Sequence, residues 1–228
     1  MDIAGMVKSS LVDYPGLIAC TLFVPGCNYD CFYCHNRPLI RGPVNTLSLD
    51  SVFAFLRKRT GQLDGVVVTG GEPTLRGDLI PFLKDIKALH YHIKLDTNGS
   101  RPRVIEQALK EGLCDYVAVD YKAPADRYAE ICGNGADADT TLQTIHLLQR
   151  HKARFEVRTT VIPQLLLPDL LKMACELPVL PRYVLNRYRK PETYLPRDEA
   201  RVNETPYAQN QIEEFAQALI KYQPHITV

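Results

Sequence analysis

Three cysteines lie close together in the segment 24–38, which reads VPGCNYDCFYCHNRP. Cys27, Cys31 and Cys34 have the spacing C-x3-C-x2-C, with an aromatic residue directly before the last cysteine and a histidine directly after it. Thiolates are soft ligands that bind zinc or iron–sulfur clusters. The seven cysteines of the chain are an odd number and three of them crowd together, which does not fit a disulfide scaffold. We therefore expect a metal centre held by reduced thiols.

The residues leave three interpretations of this segment. Structural zinc usually takes four protein ligands, often as two C-x2-C units, and Cys114, Cys132 and Cys175 supply no second unit. His35 directly follows Cys34, so the two make awkward partners on one tetrahedral ion. Buried thiols without any metal are the second interpretation. A 4Fe–4S cluster held by three cysteines fits better, because each thiolate takes one iron and the fourth iron stays open to a non-protein ligand.

Length and composition indicate an ordinary globular protein. The chain has 228 residues, enough for one domain with a sizeable core, and we expect a single domain over 1–228 with its core at about 15–190 and a polar segment and helix at 191–228. A formal net charge of +1 gives no sign of a nucleic-acid partner. Since there is neither an apolar run of membrane-helix length nor the apolar core of a secretory signal, we expect a cytoplasmic protein with no membrane partner.

Strand and helix patterns alternate along the chain. The predicted strands are 17–24, 64–71, 91–99, 114–122, 153–163 and 181–188. The predicted helices are 49–61, 79–90, 102–112, 140–151, 167–177 and 208–223. This alternation favours parallel strands joined by right-handed crossovers. Six strands are too few for a closed barrel of about 250 residues, so we expect an α/β partial barrel open on one side, with a doubly wound sheet as the alternative.

Polar motifs follow the predicted strands at the points where they end. The cysteines follow the first strand, TGGEPT the second, DTNGS the third and DYKAP the fourth, while 158–163 lies late in the fifth. The carboxyl ends of parallel strands meet at one edge of a barrel or sheet. We therefore expect all five segments to converge on one rim.

The cysteine spacing resembles the signature of the radical S-adenosylmethionine (SAM) enzymes. The resemblance implies a partial (β/α)6 barrel and a 4Fe–4S cluster whose open iron is chelated by SAM. It also implies that an electron from the reduced cluster cleaves SAM and yields a 5′-deoxyadenosyl radical. The cofactors then carry the difficult chemistry, so no catalytic side chain is expected.

Further motifs resemble one group in this family, the glycyl-radical-enzyme activating proteins. DYPG at 13–16, PGCNYDCFYCHN, GGEP, DTNG and VDYK are similar to the activating protein of anaerobic ribonucleoside-triphosphate reductase, with pyruvate formate-lyase activase as a relative, and the match runs from about Ser9 to Pro163. DYPG departs from the DGPG common in activases. The resemblance implies a glycyl radical enzyme as protein substrate and flavodoxin or ferredoxin as electron donor.

The resemblance also implies where SAM binds. The amino group would lie at the GGE turn, the adenine near the last cysteine, and the ribose or carboxylate near a lysine and an arginine. The cofactor-binding residues implied in this way are Tyr33, His35, Gly70, Gly71, Glu72, Asp96, Asn98, Lys122 and Arg158. From the residues alone, the GGE turn also reads as a plain tight turn that Glu72 orients, and the arginine as a simple ion-pair partner.

By analogy with pyruvate formate-lyase activase, Asp96, Thr97 and Asp120 hold a monovalent cation near the SAM carboxylate. A structural salt bridge is the alternative, because neighbouring carboxylates at strand ends need a cation or a lysine between them. On the sixth strand, Asn186, Arg187 and Tyr188 replace a segment that carries a SAM-contacting histidine in that activase, so their role is left open.

Two other functions remain compatible with the sequence. One is a radical SAM enzyme with a small-molecule substrate, such as a deazapurine-forming synthase, which a purine-sized polar pocket inside the barrel would favour. The other is a non-catalytic metal-binding or electron-transfer protein.

Overall fold

A computed structural model describes residues 1–40 and 44–228 of the chain. The strands are β1 (Gly5–Ser10), β2 (Ala19–Val24), β3 (Gly65–Gly70), β4 (His92–Thr97), β5 (Tyr116–Asp120), β6 (Phe155–Val161), β7 (Tyr183–Arg187) and β8 (Ile226–Thr227). The α-helices are α1 (Arg37–Ile40), α2 (Leu49–Arg59), α3 (Leu79–Lys87), α4 (Pro102–Lys110), α5 (Tyr128–Cys132), α6 (Ala138–Arg150), α7 (Leu167–Glu176), α8 (Glu199–Val202) and α9 (Gln209–Leu219).

The eight strands form one sheet in which they follow each other in chain order. The strands from β2 to β7 are all parallel. A doubly wound sheet would reverse its strand order at a switch point, so that alternative is wrong and the predicted six-stranded partial barrel is confirmed. At its two edges, β1 pairs antiparallel with β2, and the short β8 pairs parallel with β7.

Each predicted strand and helix is present, with ends shifted by one to three residues in most cases. Strands β1 and β8 and the short helices α1, α5 and α8 were not predicted from the sequence. Strand β1, with the sequence GMVKSS, is an edge strand with half-exposed or exposed residues throughout, so it lacks a buried apolar face. The missed helices have four or five residues, too few for a 3.6-residue period to be recognised.

Two separate sets of apolar side chains fill the two faces of the sheet. Alternate residues of a strand point to opposite faces, and Ile93 and Leu95 of β4 belong to the large core that also contains the helices. On the inner face, Tyr14, Val67 and Tyr116 form a second, smaller cluster. The rings of Tyr14 and Tyr116 lie 5.9 Å apart, so the DYPG segment closes the floor of the barrel.

The last part of the chain packs onto the barrel. Helix α9 contacts α7 and β7, and its residues Ile212 and Leu219 are buried in the large core. We call residues 25–36, between β2 and α1, the cysteine loop. The guanidinium group of Arg201 stacks on the ring of Phe32 in this loop, 3.8 Å from its centroid. Within residues 1–40 and 44–228, no helix is long and apolar enough to cross a membrane.

Candidate functional site

A cavity of about 230 Å³ opens at the carboxyl ends of the parallel strands. The cysteine loop forms one wall, and the ends of β3, β4, β5 and β6 form the others. The predicted site residues that line it are Cys27, Cys31, Tyr33, Cys34, His35, Gly70, Gly71, Asp96, Thr97, Asn98, Asp120, Lys122 and Arg158. The predicted convergence on one rim is therefore observed, while the role of each residue as a ligand remains a prediction.

The three cysteines lie on one side of this cavity, and their thiols differ in environment. Cys31 is buried, whereas Cys27 and Cys34 are half-buried. Burial raises the pKa of the Cys27 thiol to about 12 and also raises the pKa of Cys34. A hydrogen bond with the neighbouring Cys132 lowers the pKa of Cys31 against the effect of burial. Among the described residues, no three histidine, cysteine or acidic side chains converge closely enough for a single metal ion.

The chemistry of these donors fits an iron–sulfur cluster. All three thiols face one cavity, and cysteine thiolates are the usual ligands of such clusters. The amide nitrogen of Asn98 lies 3.9 Å from Sγ of Cys27 and donates to the side chain of Asn28 at 2.9 Å. Donors of this kind near a ligand sulfur orient it and adjust the cluster potential. Asn98 therefore supports the cysteine loop, in addition to lining the cavity.

The glycines at the end of β3 allow two loops to pack backbone to backbone. Gly70 has a φ of +113°, and a Cβ on it would lie 2.5 Å from the backbone nitrogen of Val24. A Cβ on Gly71 would overlap the carbonyl oxygen of Gly26 in the cysteine loop. The resemblance placed the amino group of SAM at this turn. The two glycines line the cavity as predicted, and they also fix the cysteine loop against β3.

Glu72 is the one predicted cofactor-binding residue that does not line the cavity. Glu72 is buried, with 1% of the residue exposed. Its carboxylate accepts hydrogen bonds from Thr74 N at 3.0 Å, Thr97 Oγ1 at 2.7 Å and Asn98 N at 2.6 Å. Burial raises the pKa of this carboxyl, and these donors oppose the shift. Its oxygens are occupied by protein donors, so Glu72 orients the loops and does not face the cavity.

An ionic network crosses the rim between β4, β5 and β6. Arg158 donates from Nη1 to Oδ2 of Asp96 and from Nε to Oδ1 of Asp120, both at 3.0 Å. Lys122 donates to Oδ2 of Asp120 at 3.0 Å, and Lys94 donates to Oδ1 of Asp96 at 2.6 Å. Burial acts to raise the pKa of Asp120, but the charges of Arg158 and Lys122 outweigh it and hold that pKa below its ordinary value.

The three predicted ligands of the monovalent cation already make contacts with other protein groups. Each carboxylate oxygen of Asp96 and Asp120 already accepts from a basic side chain. Thr97 Oγ1 donates to Glu72 and accepts from the backbone of Gly99 at 3.1 Å. A cation at Asp96, Thr97 and Asp120 would therefore compete with three basic side chains for the two carboxylates.

Near the last cysteine, the structure shows one polar group without a protein partner. The hydroxyl of Tyr33 is buried and makes no hydrogen bond with any described residue, while its ring lines the cavity. An unpaired buried hydroxyl is costly, which fits a site completed by a polar ligand such as SAM. His35 is exposed on the rim, and Asn36 donates to the carbonyl oxygen of Gly70 at 2.9 Å.

The sixth predicted strand contributes nothing to the cavity walls. Asn186 and Arg187, at the end of β7, are exposed and do not line the cavity. Tyr188 is buried and donates its hydroxyl proton to the carbonyl oxygen of Val202 at 2.9 Å. In this chain, the end of β7 therefore anchors the segment before α9.

The residues missed in the sequence include Lys94, Asn36 and Cys132. Lys94 was detectable, because it stands two residues before Asp96 and so shares its face of the strand. Asn36 carries no sequence signal beyond its position two residues after Cys34. Cys132 gave no usable signal, because only the fold brings α5 against the cysteine loop, where the Cys132 carbonyl accepts from Asp30 N at 2.8 Å.

Comparison with known proteins supports one family. The sequence model of the Radical SAM superfamily matches residues 21–174. A relative from Methanocaldococcus jannaschii, whose name describes it as a glycyl-radical enzyme activating enzyme, is 29% identical over 237 residues that cover 99% of this chain and 95% of the relative.

Two solved structures share the fold of this chain. Streptococcus suis SuiB bound to S-adenosylmethionine aligns with a TM-score of 0.67 at 14% identity, over 89% of this chain and 48% of that chain. A domain of pyruvate-formate lyase-activating enzyme from Bacteroides vulgatus aligns with a TM-score of 0.56 at 19% identity, over 72% of this chain and 97% of that domain. The chain thus spans about half the length of SuiB, and at these identities the likeness concerns the fold.

The family match runs from β2 to α7, which are the elements that carry the cysteine loop and the other walls of the cavity. This family implies a 4Fe–4S cluster and SAM as cofactors, and the three thiols and the unpaired Tyr33 hydroxyl fit that pair. Sequence, fold and site geometry agree, and the chain belongs to the Radical SAM superfamily.

Proposed function

We propose that this protein is an activase that removes a hydrogen atom from a backbone glycine of a partner glycyl radical enzyme, with anaerobic ribonucleotide reductase as the first candidate. One observation carries the proposal: below the cavity, the barrel interior is filled by the protein's own side chains. A substrate must then reach the cavity from outside the rim, as a protruding loop of a large partner can do.

Side chains fill the interior of the barrel at two levels below the cavity. Tyr14, Val67 and Tyr116 occupy the floor, and each is at least nine-tenths buried. Lys94 and Arg158 fill the level between this floor and the rim, held by Asp96. A radical SAM enzyme with a small-molecule substrate would need a chamber for that substrate beside SAM. The volume of about 230 Å³ is bounded mainly by residues expected to hold the two cofactors, which speaks against such a chamber.

The side chains have binding and positioning roles in this proposal. The cluster and SAM, when bound, supply one-electron cleavage of SAM to a radical that abstracts hydrogen. Cys27, Cys31 and Cys34 would hold the cluster, and Gly71 fixes their loop against β3. Lys122 and Arg158, which line the cavity, would supply the positive charge that binds the carboxylate of SAM. No side chain is asked to move a proton, because the hydrogen leaves the glycine as an atom.

Residues 1–228 act as one radical SAM domain, supported by a single sheet and by a core that includes residues of α9. The electron comes from a flavodoxin or ferredoxin. The site of action is the cytosol, since the cluster needs reduced cysteines and the cytosol keeps thiols reduced.

The test is anaerobic reconstitution with iron and sulfide, followed by assay of 5′-deoxyadenosine after addition of dithionite and SAM. Wild-type protein should form 5′-deoxyadenosine, and Cys31→Ala should not. Cys175→Ala is the matched control, because Cys175 is exposed and lies outside the cavity. If wild-type protein cleaves no SAM, or binds one zinc ion through four protein ligands, a non-catalytic metal-binding function replaces the proposal.

A second measurement separates an activase from an enzyme with a small substrate. Reaction with a candidate anaerobic reductase should produce the electron paramagnetic resonance signal of a glycyl radical on that partner. A reductase in which the target glycine is replaced by alanine should give no such signal. SAM cleavage that stays uncoupled from every glycyl radical enzyme tested, and is accelerated by a small molecule, would contradict the activase assignment.

A further inference from the structure

Lys94 lies beneath the rim of the barrel, on the inner face of β4, with 2% of its side chain exposed. Its Nζ is 2.6 Å from Oδ1 of Asp96, two residues further along the strand. An ammonium group at this depth is stable only when paired with a carboxylate. Folding of β4 therefore brings a fixed positive charge directly against Asp96.

The contact between Lys94 and Asp96 is part of a larger network of charged side chains. Asp96 and Asp120 contribute two negative charges, and Lys94, Lys122 and Arg158 contribute three positive charges in one connected network. All four carboxylate oxygens have a basic donor within 3.0 Å. The network as a whole thus carries one positive charge in excess without any bound ion, and it borders the cavity expected to receive the carboxylate of SAM.

We propose that Lys94 is a positioning residue that takes the place of a bound monovalent cation, so that SAM binding in this protein does not depend on Na⁺ or K⁺. Its ammonium group neutralises Asp96 and holds that carboxylate toward Arg158. A covalently attached charge is present at every salt concentration, whereas a bound ion must be captured from solution. The inference rests on SAM binding in this cavity and is independent of which partner enzyme is activated.

The wild-type protein provides the first test. Equilibrium dialysis with SAM on the reconstituted protein is performed in Na⁺, K⁺ or tetramethylammonium chloride at constant ionic strength, which keeps general screening equal. Tetramethylammonium is too large to enter a gap between two carboxylates. The dissociation constant of SAM should agree within about twofold among the three salts, well under the tenfold change that corresponds to about 1.4 kcal/mol. A saturable gain in affinity with Na⁺ or K⁺ would overturn the proposal.

The second test removes the charge. Lys94→Met keeps an unbranched side chain of similar length and exposes Oδ1 of Asp96 to an ion. In tetramethylammonium this variant should bind SAM at least about tenfold more weakly, the loss expected for one charge-assisted contact. K⁺ or Na⁺ should restore much of that affinity. Unchanged affinity, or a loss that neither ion restores, would contradict the substitution of a cation by Lys94.

Two further variants serve as controls for Lys94→Met. Lys87→Met removes a lysine that pairs with Asp115 at 2.5 Å outside the cavity, and its SAM affinity should be equal in all three salts. Lys94→Arg keeps the charge and should remain independent of the cation. If Lys94→Met does not fold, the wild-type and Lys94→Arg measurements still decide. Because dialysis detects SAM binding without a partner enzyme, failure of the activase assignment would leave this test unaffected.

Discussion

The backbone N–H of Asn98 donates a 2.6 Å hydrogen bond to the buried carboxylate of Glu72. This contact joins the turn after β4 to the turn after β3, 26 residues earlier in the chain. Asn98 then reaches the cysteine loop through its side-chain amide. Glu72 therefore controls the shape of the cavity from a position behind its wall.

Replacing this carboxylate by an amide should weaken the protein. In Glu72→Gln, one oxygen becomes an NH₂ group that faces donors, and a buried unmet donor costs about 1–3 kcal/mol. Urea unfolding of the metal-free protein measures the loss in free energy of unfolding. Glu214→Gln, at an exposed position of α9, should change it by less than about 0.5 kcal/mol. Equal stability of Glu72→Gln and wild type would contradict this role of the Glu72 carboxylate.

A methyl group on Gly71 should disturb the cysteine loop. The Cβ of Gly71→Ala overlaps the backbone of Gly26, which cannot move aside as a flexible side chain does. We expect a loss of about 1–3 kcal/mol in the free energy of unfolding, as for other overpacked sites, together with lower iron content after reconstitution. Gly77→Ala is the matched control, since no atom lies within 4 Å of its added Cβ. Normal iron content and stability in Gly71→Ala would show that the two loops are not in contact.

Arg158→Lys should separate charge from geometry. A lysine keeps the positive charge but cannot donate to Asp96 and Asp120 in the planar fork of a guanidinium group. Loss of one charge-assisted hydrogen bond predicts SAM binding about tenfold weaker, with unchanged iron content. Equilibrium dialysis and iron analysis measure the two quantities. Arg103→Lys, at an exposed position of α4, should bind SAM like wild type. Wild-type affinity in Arg158→Lys would mean that only charge matters at this position.

Acid should weaken the protein partly through Asp120. The pKa of this carboxyl is lowered in the folded state, so the native protein binds fewer protons there than the unfolded chain. Its stabilising contribution is complete above the unfolded pKa of about 3.9 and is lost as the pH falls below that value toward the lower folded pKa. Between about pH 5 and 3, the free energy of unfolding should therefore fall more steeply for wild type than for Asp120→Asn. Parallel curves would contradict the ion pairs of Asp120.

The sequence predicted the parts of the fold that have a strong local pattern. Runs such as GVVVTG in β3 are apolar and buried, so periodicity identified them. The cysteine spacing and the turn motifs were equally local, and the parallel order of the strands then placed them at one rim. The edge strand β1 was missed because Val7, Lys8 and Ser9 are exposed and form no apolar face.

Other parts of the site depend on tertiary contacts that no local pattern contains. The sequence shows that Lys94 shares a strand face with Asp96, but only the closed sheet places Arg158 against the same carboxylate. Burial of Lys94 was equally hidden, because a lysine in a strand is usually exposed. The position of Cys132 beside Cys31 arises from α5, which is about 100 residues from the cysteine loop in the chain and too short to be recognised from periodicity.

The packing of the C-terminal segment on the cysteine loop also affects biosynthesis. Arg197 donates to Asp30 at 3.0 Å from a position 167 residues later in the chain, and Arg201 covers Phe32. At translation rates of about 5–20 residues per second, the ribosome makes the three cysteines roughly 10–30 s before it makes these partners. The nascent loop is thus without its final cover for that interval, and the thiols reach their mature arrangement only after residues 197–201 have been made.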